Sequence, residues 1–141
     1  MSQAPTYCMP RILLIDDADL VRQVVVRYLT QGGYQDVQAA SDGLAGVRLW
    51  REWRADLVIT DLNMPQISGL EVILGLRSLA PDLPILAMSG DPGSVDELRR
   101  VRAAFLLGTV RLLVKPFTQS ELLREVATAL RTRRPELKIS R

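Results

Sequence analysis

The chain alternates short apolar runs with segments of helical periodicity, and this alternation restricts the fold more than any other feature of the sequence. Apolar runs without interspersed polar residues are typical of strands that are buried on both faces of a parallel sheet. Five such runs predict five strands, at Ile12 to Ile15, Val37 to Ala40, Leu57 to Ile59, Ile85 to Met88 and Leu112 to Val114.

The segments between these runs carry apolar residues at three- and four-residue spacings, which predict amphipathic helices. The first and last of five predicted helices have the clearest stripes, which are Leu20, Val21, Val24, Val25, Tyr28 and Leu29, and Leu122, Leu123, Val126, Ala127 and Leu130. Three less regular helices are predicted at residues 44–53, 69–79 and 94–107. Ser94 with Glu97 and Thr118 with Glu121 have the spacing of capping boxes, and the glycine pair at 32–33 ends the first helix.

Strict alternation of five strands and five helices predicts an α/β fold, a doubly wound parallel sheet with helices on both faces. The composition agrees, because 48% hydrophobic and 24% charged residues are ordinary values for a globular protein, and 141 residues suit one domain. We therefore predict a single domain at residues 11–132. Residues 1–10 are predicted to be a flexible N-terminal segment, and residues 133–141 a tail or the remnant of a linker.

Charge and composition argue against several classes of function. The net charge of +2 is too small to indicate a nucleic-acid interface, and only about ten residues follow the last predicted helix, too few for a DNA-binding domain. The single cysteine, Cys8, allows no intrachain disulfide, and the sequence has neither a signal peptide nor an apolar run of membrane-spanning length. We expect a cytoplasmic protein that binds neither nucleic acid nor membranes.

Polar side chains follow the carboxyl ends of four of the predicted strands. Asp16 and Asp17 close the first strand, Asp61 the third, Ser89 the fourth and Lys115 the fifth. Ligands of doubly wound sheets bind outside the carboxyl ends of the strands, where the strand order reverses. We therefore expect these five side chains to lie together at one edge of the sheet.

Three carboxylates at one edge need a cation, because like charges at short range repel and raise one another's pKa. Mg²⁺ suits them, since it prefers hard oxygen ligands, keeps several waters and shares its remaining ligand positions with phosphate. A carboxylate beside such an ion can attack a phosphoryl group, while an ammonium and a hydroxyl hold the transferred oxygens. The alternative interpretation of Asp16 and Asp17, as acids that favour a helix N-terminus, explains this pair but not the other three residues.

Four segments of the chain carry a family resemblance, and they are LLIDDADL, DLNMPQISG, LAMSG and LLVKPF. Each segment alone is a weak signal, but the four in this order at successive strand ends are specific. From about Arg11 to Arg131 the chain resembles the receiver domain of two-component response regulators. The resemblance implies the flavodoxin-like fold of that family, with five parallel strands in the order 2-1-3-4-5 and five helices.

The resemblance also implies a role for each residue at the sheet edge. Asp61 is the implied phosphoacceptor, and Ser89 and Lys115 contact the phosphoryl group, with a cis peptide bond between Lys115 and Pro116. The protein is then a signalling domain that catalyses only its own phosphorylation and dephosphorylation, and not a conventional enzyme. The implied ligands of Mg²⁺ are Asp16, Asp17, Asp61 and the backbone carbonyl of Asn63.

The expected partners follow from the resemblance and from the residue content. The sequence contains no histidine, so a phosphohistidine donor must be another protein, either a histidine kinase or a histidine phosphotransfer protein. A downstream protein target is expected, but the sequence does not identify it. The chain is expected to be either a single-domain regulator or part of a longer one.

Three positions are expected to modulate the response. In the family, the residues two positions after the phosphoacceptor and after the hydroxyl residue flank the path of attacking water. Here they are Asn63 and Asp91, which favours a labile phosphoryl group with Asp91 orienting the water. Leu112 stands where receivers usually carry Tyr or Phe, so the usual aromatic switch is missing. We expect phosphorylation instead to change partner binding or homodimer formation through an apolar face of the fourth helix, fifth strand and fifth helix, including Phe105 to Leu107.

Two alternatives remain open. A pseudo-receiver would dock partners without being phosphorylated, although the sequence retains all five polar residues at the predicted edge. A haloacid-dehalogenase-like phosphohydrolase is the second alternative, because the segment DADLV from Asp17 fits the DxDxV pattern of enzymes with an aspartate nucleophile. That interpretation leaves DLNMPQISG unexplained, and the chain lacks a further acidic pair after Lys115.

Overall fold

The core of the protein is a sheet of five parallel strands. The strands are β1 (Ile12–Ile15), β2 (Val37–Ala40), β3 (Leu57–Asp61), β4 (Ile85–Ser89) and β5 (Val110–Val114). Their order in the sheet is β2-β1-β3-β4-β5, which confirms the predicted topology. The computed structural model describes residues 9–91, 93, 95–99 and 110–132.

Three of the strands are longer than the apolar runs that predicted them. β3 continues through Thr60 and Asp61 because both residues pair in register with β4, at Ala87 and Met88. A polar side chain ends an apolar run, but the backbone hydrogen bonds of the ladder do not depend on the side chain. Asp61 is therefore held by the sheet itself and not by a loop.

Helices cover both faces of the sheet. They are α1 (Asp19–Gln31), α2 (Gly43–Trp53), α3 (Gly69–Leu79), α4, of which residues 93 and 95–99 are described, and α5 (Gln119–Arg131). Among the described helices, none combines the length and the apolar character needed to span a bilayer. Ser94 with its predicted capping box, the predicted helical residues 100–107, and the terminal segments 1–8 and 133–141 lie outside the described residues.

Side-chain caps and a glycine set the limits of several helices. Thr118 and Glu121 form the predicted capping box at the start of α5. Ser68 and Glu71 form a second capping box at the start of α3, which the sequence analysis did not predict although the spacing is the same. Gly33 follows the end of α1 with a φ of 101°, a left-handed conformation that favours glycine.

Each face of the sheet has its own hydrophobic core, because successive residues of a strand point to opposite faces. In β1, Leu13 and Ile15 pack under α2 and α3, whereas Ile12 and Leu14 pack under α1 and α5. All four side chains are fully buried. The first polar residue after this strand, Asp16, therefore stands at the edge of the sheet.

The path of the chain leaves a crevice at that edge. From β1 the chain runs through α1 to β2 on one side, and it later reaches β3 on the other side of β1. The connections that follow β1 and β3 consequently diverge, and the crevice between them opens at the carboxyl ends of these two strands.

Candidate functional site

Three carboxylates meet at the carboxyl ends of β1 and β3. Ile15 and Thr60 are paired in register, so the residues that follow them, Asp16 and Asp61, stand side by side at the edge of the sheet. Carboxylate oxygens of Asp16, Asp17 and Asp61 lie within 4.8 Å of one another. Asp16 and Asp61 are buried, whereas Asp17 is exposed. The structure therefore brings the three acids together at the expected edge.

The two oxygens of the Asp16 carboxylate have different surroundings. Oδ1 accepts a hydrogen bond from the Ala18 N–H at 2.9 Å. Oδ2 is buried without a hydrogen-bond partner among the described residues, and the Lys115 Nζ is 3.6 Å away, which is ion-pair distance but too long for a hydrogen bond. Burial raises the pKa of Asp16 most, and Asp61 and Asp17 raise it further, against the lowering effects of the Ala18 N–H and the Lys115 ammonium.

One ammonium group is shared by two of the carboxylates. Lys115 directly follows β5, and its Nζ lies 3.5 Å from Asp61 Oδ2 and 3.6 Å from Asp16 Oδ2. Its backbone N–H donates to the Ser89 carbonyl at 2.8 Å, which holds the end of β5 beside β4. The Lys115–Pro116 peptide bond is cis, as the resemblance implied. Among the described residues, Lys115 is the cation within ion-pair distance of the Asp16 and Asp61 carboxylates, so three carboxylates share one directly paired ammonium.

The Ser89 hydroxyl lies at the end of β4 and is fully buried. Its Oγ accepts a hydrogen bond from the Asp91 N–H at 3.0 Å and has two acceptors in reach, the Asp91 backbone oxygen at 3.1 Å and Asn63 Oδ1 at 3.3 Å. A serine hydroxyl carries one hydrogen, so it donates to one of these oxygens at a time. Asn63 also donates its backbone N–H to Asp61 Oδ1 at 3.2 Å. Asn63 therefore connects the hydroxyl group with the third carboxylate.

The two remaining residues that were expected to modulate the response take part in packing and capping. Asp91 is exposed; its Oδ1 accepts from the Gly93 N–H at 3.0 Å, and its backbone carbonyl accepts from the Val95 N–H at 3.2 Å. Leu112 is half-buried and packs against the core under α2 and α3. Asp91 thus holds the start of α4, and its expected role in orienting water stays a prediction.

Two residues that the sequence analysis did not assign to the site support it. α3 approaches the end of β3 so closely at Gly69 that a Cβ atom there would lie 1.9 Å from the Asp61 carbonyl oxygen. On the side of β1, the Arg22 Nη1 donates to the Asp16 carbonyl oxygen at 2.7 Å. The available signals were a glycine eight residues after Asp61 and an arginine six residues after Asp16, and neither spacing indicates a contact by itself.

The carboxylate cluster fits Mg²⁺. A buried oxygen without a hydrogen bond, such as Asp16 Oδ2, is unfavourable unless an ion or a water satisfies it. Carboxylate oxygens are the ligands that Mg²⁺ prefers, and the exposed Asp17 leaves one side open for the waters that Mg²⁺ retains. Asp16, Asp17 and Asp61 could therefore hold a metal ion, and the Asn63 carbonyl as a further ligand stays a prediction.

Comparison with known proteins decides the family. The sequence profile of the response regulator receiver domain matches residues 12–127. The chain belongs to this family. Receiver domains of two-component systems are signalling domains and not conventional enzymes, and the family match sets aside the haloacid-dehalogenase-like alternative.

The receiver domain is similar to two mycobacterial response regulators named MprA. It is 36% identical over 126 residues to the protein of Mycobacterium leprae (strain TN) and 37% identical over 126 residues to that of Mycobacterium sp. (strain KMS). Each alignment covers 89% of this chain and 53% of the relative. The chain therefore spans about half the length of these relatives.

Solved structures show the same receiver fold. The chemotaxis protein CheY4 of Vibrio cholerae has a TM-score of 0.76 at 30% identity, over 86% of this chain and 99% of that one. The signal receiver domain of an HD domain-containing protein from Pseudomonas fluorescens Pf-5 has a TM-score of 0.77 at 26% identity, over 89% of this chain and 98% of that one. Both likenesses confirm the predicted fold class.

Proposed function

We propose that this receiver domain accepts a phosphoryl group from a phosphohistidine donor on Asp61. The observation that carries the proposal is the surroundings of Asp61, whose Oδ2 lies 3.5 Å from the Lys115 ammonium and beside two carboxylates that fit Mg²⁺. In the transfer, a carboxylate oxygen of Asp61 attacks phosphorus, the N–P bond to the donor imidazole breaks, and a P–O bond forms. The donor imidazole keeps the electron pair of the broken bond and takes up a proton.

The charges at the sheet edge determine what the transfer requires. The phosphoryl group adds negative charge where three carboxylates already meet. Bound Mg²⁺ would supply the compensating positive charge, with Asp16, Asp17, Asp61 and the Asn63 backbone carbonyl as its ligands. Lys115 is placed to neutralise phosphoryl oxygens from the side of β5. Ser89 can donate its single hydroxyl hydrogen to them once it leaves the Asp91 and Asn63 oxygens.

An apolar groove beside the site suits the donor. It lies between α1 and the loop after β5 and has a volume of about 310 Å³. Leu20 is 74% exposed and Val24 is 39% exposed, so apolar surface lies uncovered next to Lys115 and Phe117. Exposed apolar patches mark protein interfaces, and grooves of this kind receive a helix of a partner. We propose that a histidine kinase or a histidine phosphotransfer protein docks its histidine-bearing helix in this groove.

The proposed output passes through the face formed by α4, β5 and α5. Val114 on this face is 56% exposed, and Asp91 links Ser89 to the start of α4. When the Ser89 hydroxyl turns toward a phosphoryl group, its hydrogen bonds to the Asp91 backbone break, and the position of the start of α4 changes. The affinity of the face for a downstream protein or a second copy of the chain then differs between the two states. A cytoplasmic location, shared with the donor, belongs to the same proposal.

Phosphorylation is tested by intact-mass spectrometry after treatment with phosphoramidate. Wild type is expected to gain one phosphoryl group with Mg²⁺ present and none with a chelator, and Asp61→Asn is expected to gain none. Full labelling of Asp61→Asn would contradict the assignment and point to Asp17. An unlabelled wild type would favour the pseudo-receiver alternative. Sedimentation velocity with beryllium trifluoride, an acyl-phosphate mimic, then shows whether the activated chain self-associates.

A further inference from the structure

Arg22 spans the turn between β1 and α1. Its Nη1 donates to the backbone carbonyl of Asp16 at 2.7 Å, and its Nη2 forms an ion pair with Asp19 at the start of the same helix. The Arg22 side chain is only 20% exposed, whereas that of Asp19 is 78% exposed. The guanidinium therefore has two fixed contacts. The buried one is with Asp16, the first carboxylate of the cluster in the sequence.

The turn that Arg22 spans has few other restraints. Ala18 precedes α1 and provides no side-chain cap, and its N–H is used by Asp16 Oδ1. The Asp17 carboxylate has no hydrogen bond or ion pair among the residues that the structure describes, so the backbone, which sets the direction of its Cα–Cβ bond, is its main restraint. The Asp16 carbonyl oxygen belongs to the planar peptide group that joins Asp16 to Asp17. A donor that fixes this oxygen therefore fixes the plane from which the Asp17 side chain projects.

We propose that Arg22 is a positioning residue of the magnesium site, which orients the Asp16–Asp17 peptide so that both carboxylates face Asp61. This inference rests on the proposed function, because it assigns Arg22 a role in the proposed metal site. Arg22 touches neither the metal nor the phosphoryl group in this role. Its anchor is Asp19, which keeps the guanidinium turned toward the Asp16 carbonyl.

The sign of the effect separates positioning from plain electrostatics. A cation near the site repels Mg²⁺, so removal of a positive charge alone is expected to tighten magnesium binding slightly. Loss of positioning is expected to weaken it instead. Groups that orient metal ligands typically contribute tenfold or more to metal affinity. We therefore expect Arg22→Ala to bind Mg²⁺ roughly tenfold more weakly than wild type.

The experiment is an isothermal titration of the full chain with MgCl₂. Arg22→Lys is expected to recover part of the affinity, since an ammonium can donate to the Asp16 carbonyl but lacks the planar fork that also reaches Asp19. Arg27→Ala is the matched control, because it removes the same charge from an exposed position of α1. Its affinity is expected to equal or slightly exceed that of wild type. Thermal unfolding without Mg²⁺ measures the stability of each variant separately.

The outcomes distinguish this inference from the proposed function. If wild type binds no Mg²⁺, the proposed magnesium-dependent function fails, and the role of Arg22 fails with it. If wild type binds Mg²⁺ and Arg22→Ala binds it equally tightly, the role of Arg22 is overturned while the metal site stands. A variant that melts lower but keeps wild-type affinity in its folded state has lost a purely structural contact, which also overturns the inference.

Discussion

A buried carboxylate with a raised pKa destabilises the fold around it. Asp16 is fully buried, its Oδ2 lacks a hydrogen bond to any described residue, and Asp17 and Asp61 lie close by. We expect Asp16→Asn to stabilise the metal-free protein by on the order of 1 kcal/mol, which corresponds to about 3 °C in melting temperature. The same change removes a proposed ligand and is expected to weaken magnesium binding strongly. Differential scanning calorimetry and magnesium titration measure the two effects.

The gain in stability from Asp16→Asn is expected to increase with pH, because the pKa of Asp16 is raised in the folded state. Well below the ordinary aspartate pKa of 3.8, the wild-type carboxyl is protonated in the folded and unfolded states alike and contributes little to the pH dependence of stability. As the pH rises, the unfolded chain loses this proton first, so wild-type stability falls until the pH passes the raised pKa of the folded state. Urea denaturation without Mg²⁺ is expected to show a larger advantage of the variant at neutral pH than at acidic pH. An advantage that grows on acidification would contradict the assigned cause.

Gly69 controls how closely α3 approaches Asp61, the proposed phosphoacceptor. A Cβ at this position would lie 1.9 Å from the Asp61 carbonyl oxygen and 2.6 Å from the Leu62 Cα, and both are backbone atoms. We expect Gly69→Ala to destabilise the fold by about 2–3 kcal/mol, since the helix must move away, and to slow the labelling of Asp61 by phosphoramidate. Gly75→Ala in the same helix is the matched control, because a Cβ there meets nothing within 4 Å. It is expected to stabilise by up to about 1 kcal/mol, and equal urea midpoints for the two variants would refute this account.

At the scale of elements, the order of strands and helices was predictable from periodicity, whereas some boundaries and contacts were not. The apolar runs placed all five strands, because strands buried on both faces tolerate few polar side chains. For β3 the apolar run predicted an end at Ile59, whereas Thr60 and Asp61 still pair with β4. The three acids, Ser89 and Lys115 were predicted to share one edge because each follows the carboxyl end of a parallel strand, and this prediction needed no side-chain contact. The contacts of Arg22 and Gly69 depend on how a helix leaves the sheet, which residue spacing does not encode.

The connection between β4 and α4 offers two explanations for Asp91, as a cap of α4 or as a group that orients the attacking water. Asp91→Asn keeps an oxygen that can accept from the Gly93 N–H but cannot act as a base, whereas Asp91→Ala loses both functions. If the Asp91 carboxylate orients the attacking water by accepting its proton, both variants are expected to slow dephosphorylation, by up to about a hundredfold. The decay of labelled protein, followed by mass spectrometry, measures this rate. Wild-type decay in both variants would refute the water-orienting role, and a change in Asp91→Ala alone would assign the effect to capping.

At the scale of the whole molecule, the apolar groove along α1 lies next to the carboxylate cluster, and the two have separate proposed roles, in docking the donor and in accepting the phosphoryl group. Leu20→Asp places a charge on the apolar surface without touching the carboxylates, and Leu20 is 74% exposed, so the fold is expected to tolerate it. We expect transfer from a phosphorylated histidine donor to slow by about tenfold or more, as for a central interface residue, while phosphoramidate labelling stays at the wild-type rate. Leu79→Asp, at a 45% exposed position at the end of α3, is the matched control. Equal donor transfer in both variants would exclude the groove as the docking surface.

The solvent-exposed Asp17 leaves the carboxylate cluster open on one side, and under the proposed function this openness has a consequence for signalling fidelity. If Asp61 is the phosphoacceptor, an open edge is expected to admit small metabolites with a reactive phosphoryl group as well as a protein donor, so the chemistry itself would not distinguish a cognate signal from background. Insulation against crosstalk is then expected to reside in a few exposed side chains such as Leu20 and Val24. Substitutions there could reroute the pathway to a different donor while the switch that responds to phosphorylation stays the same.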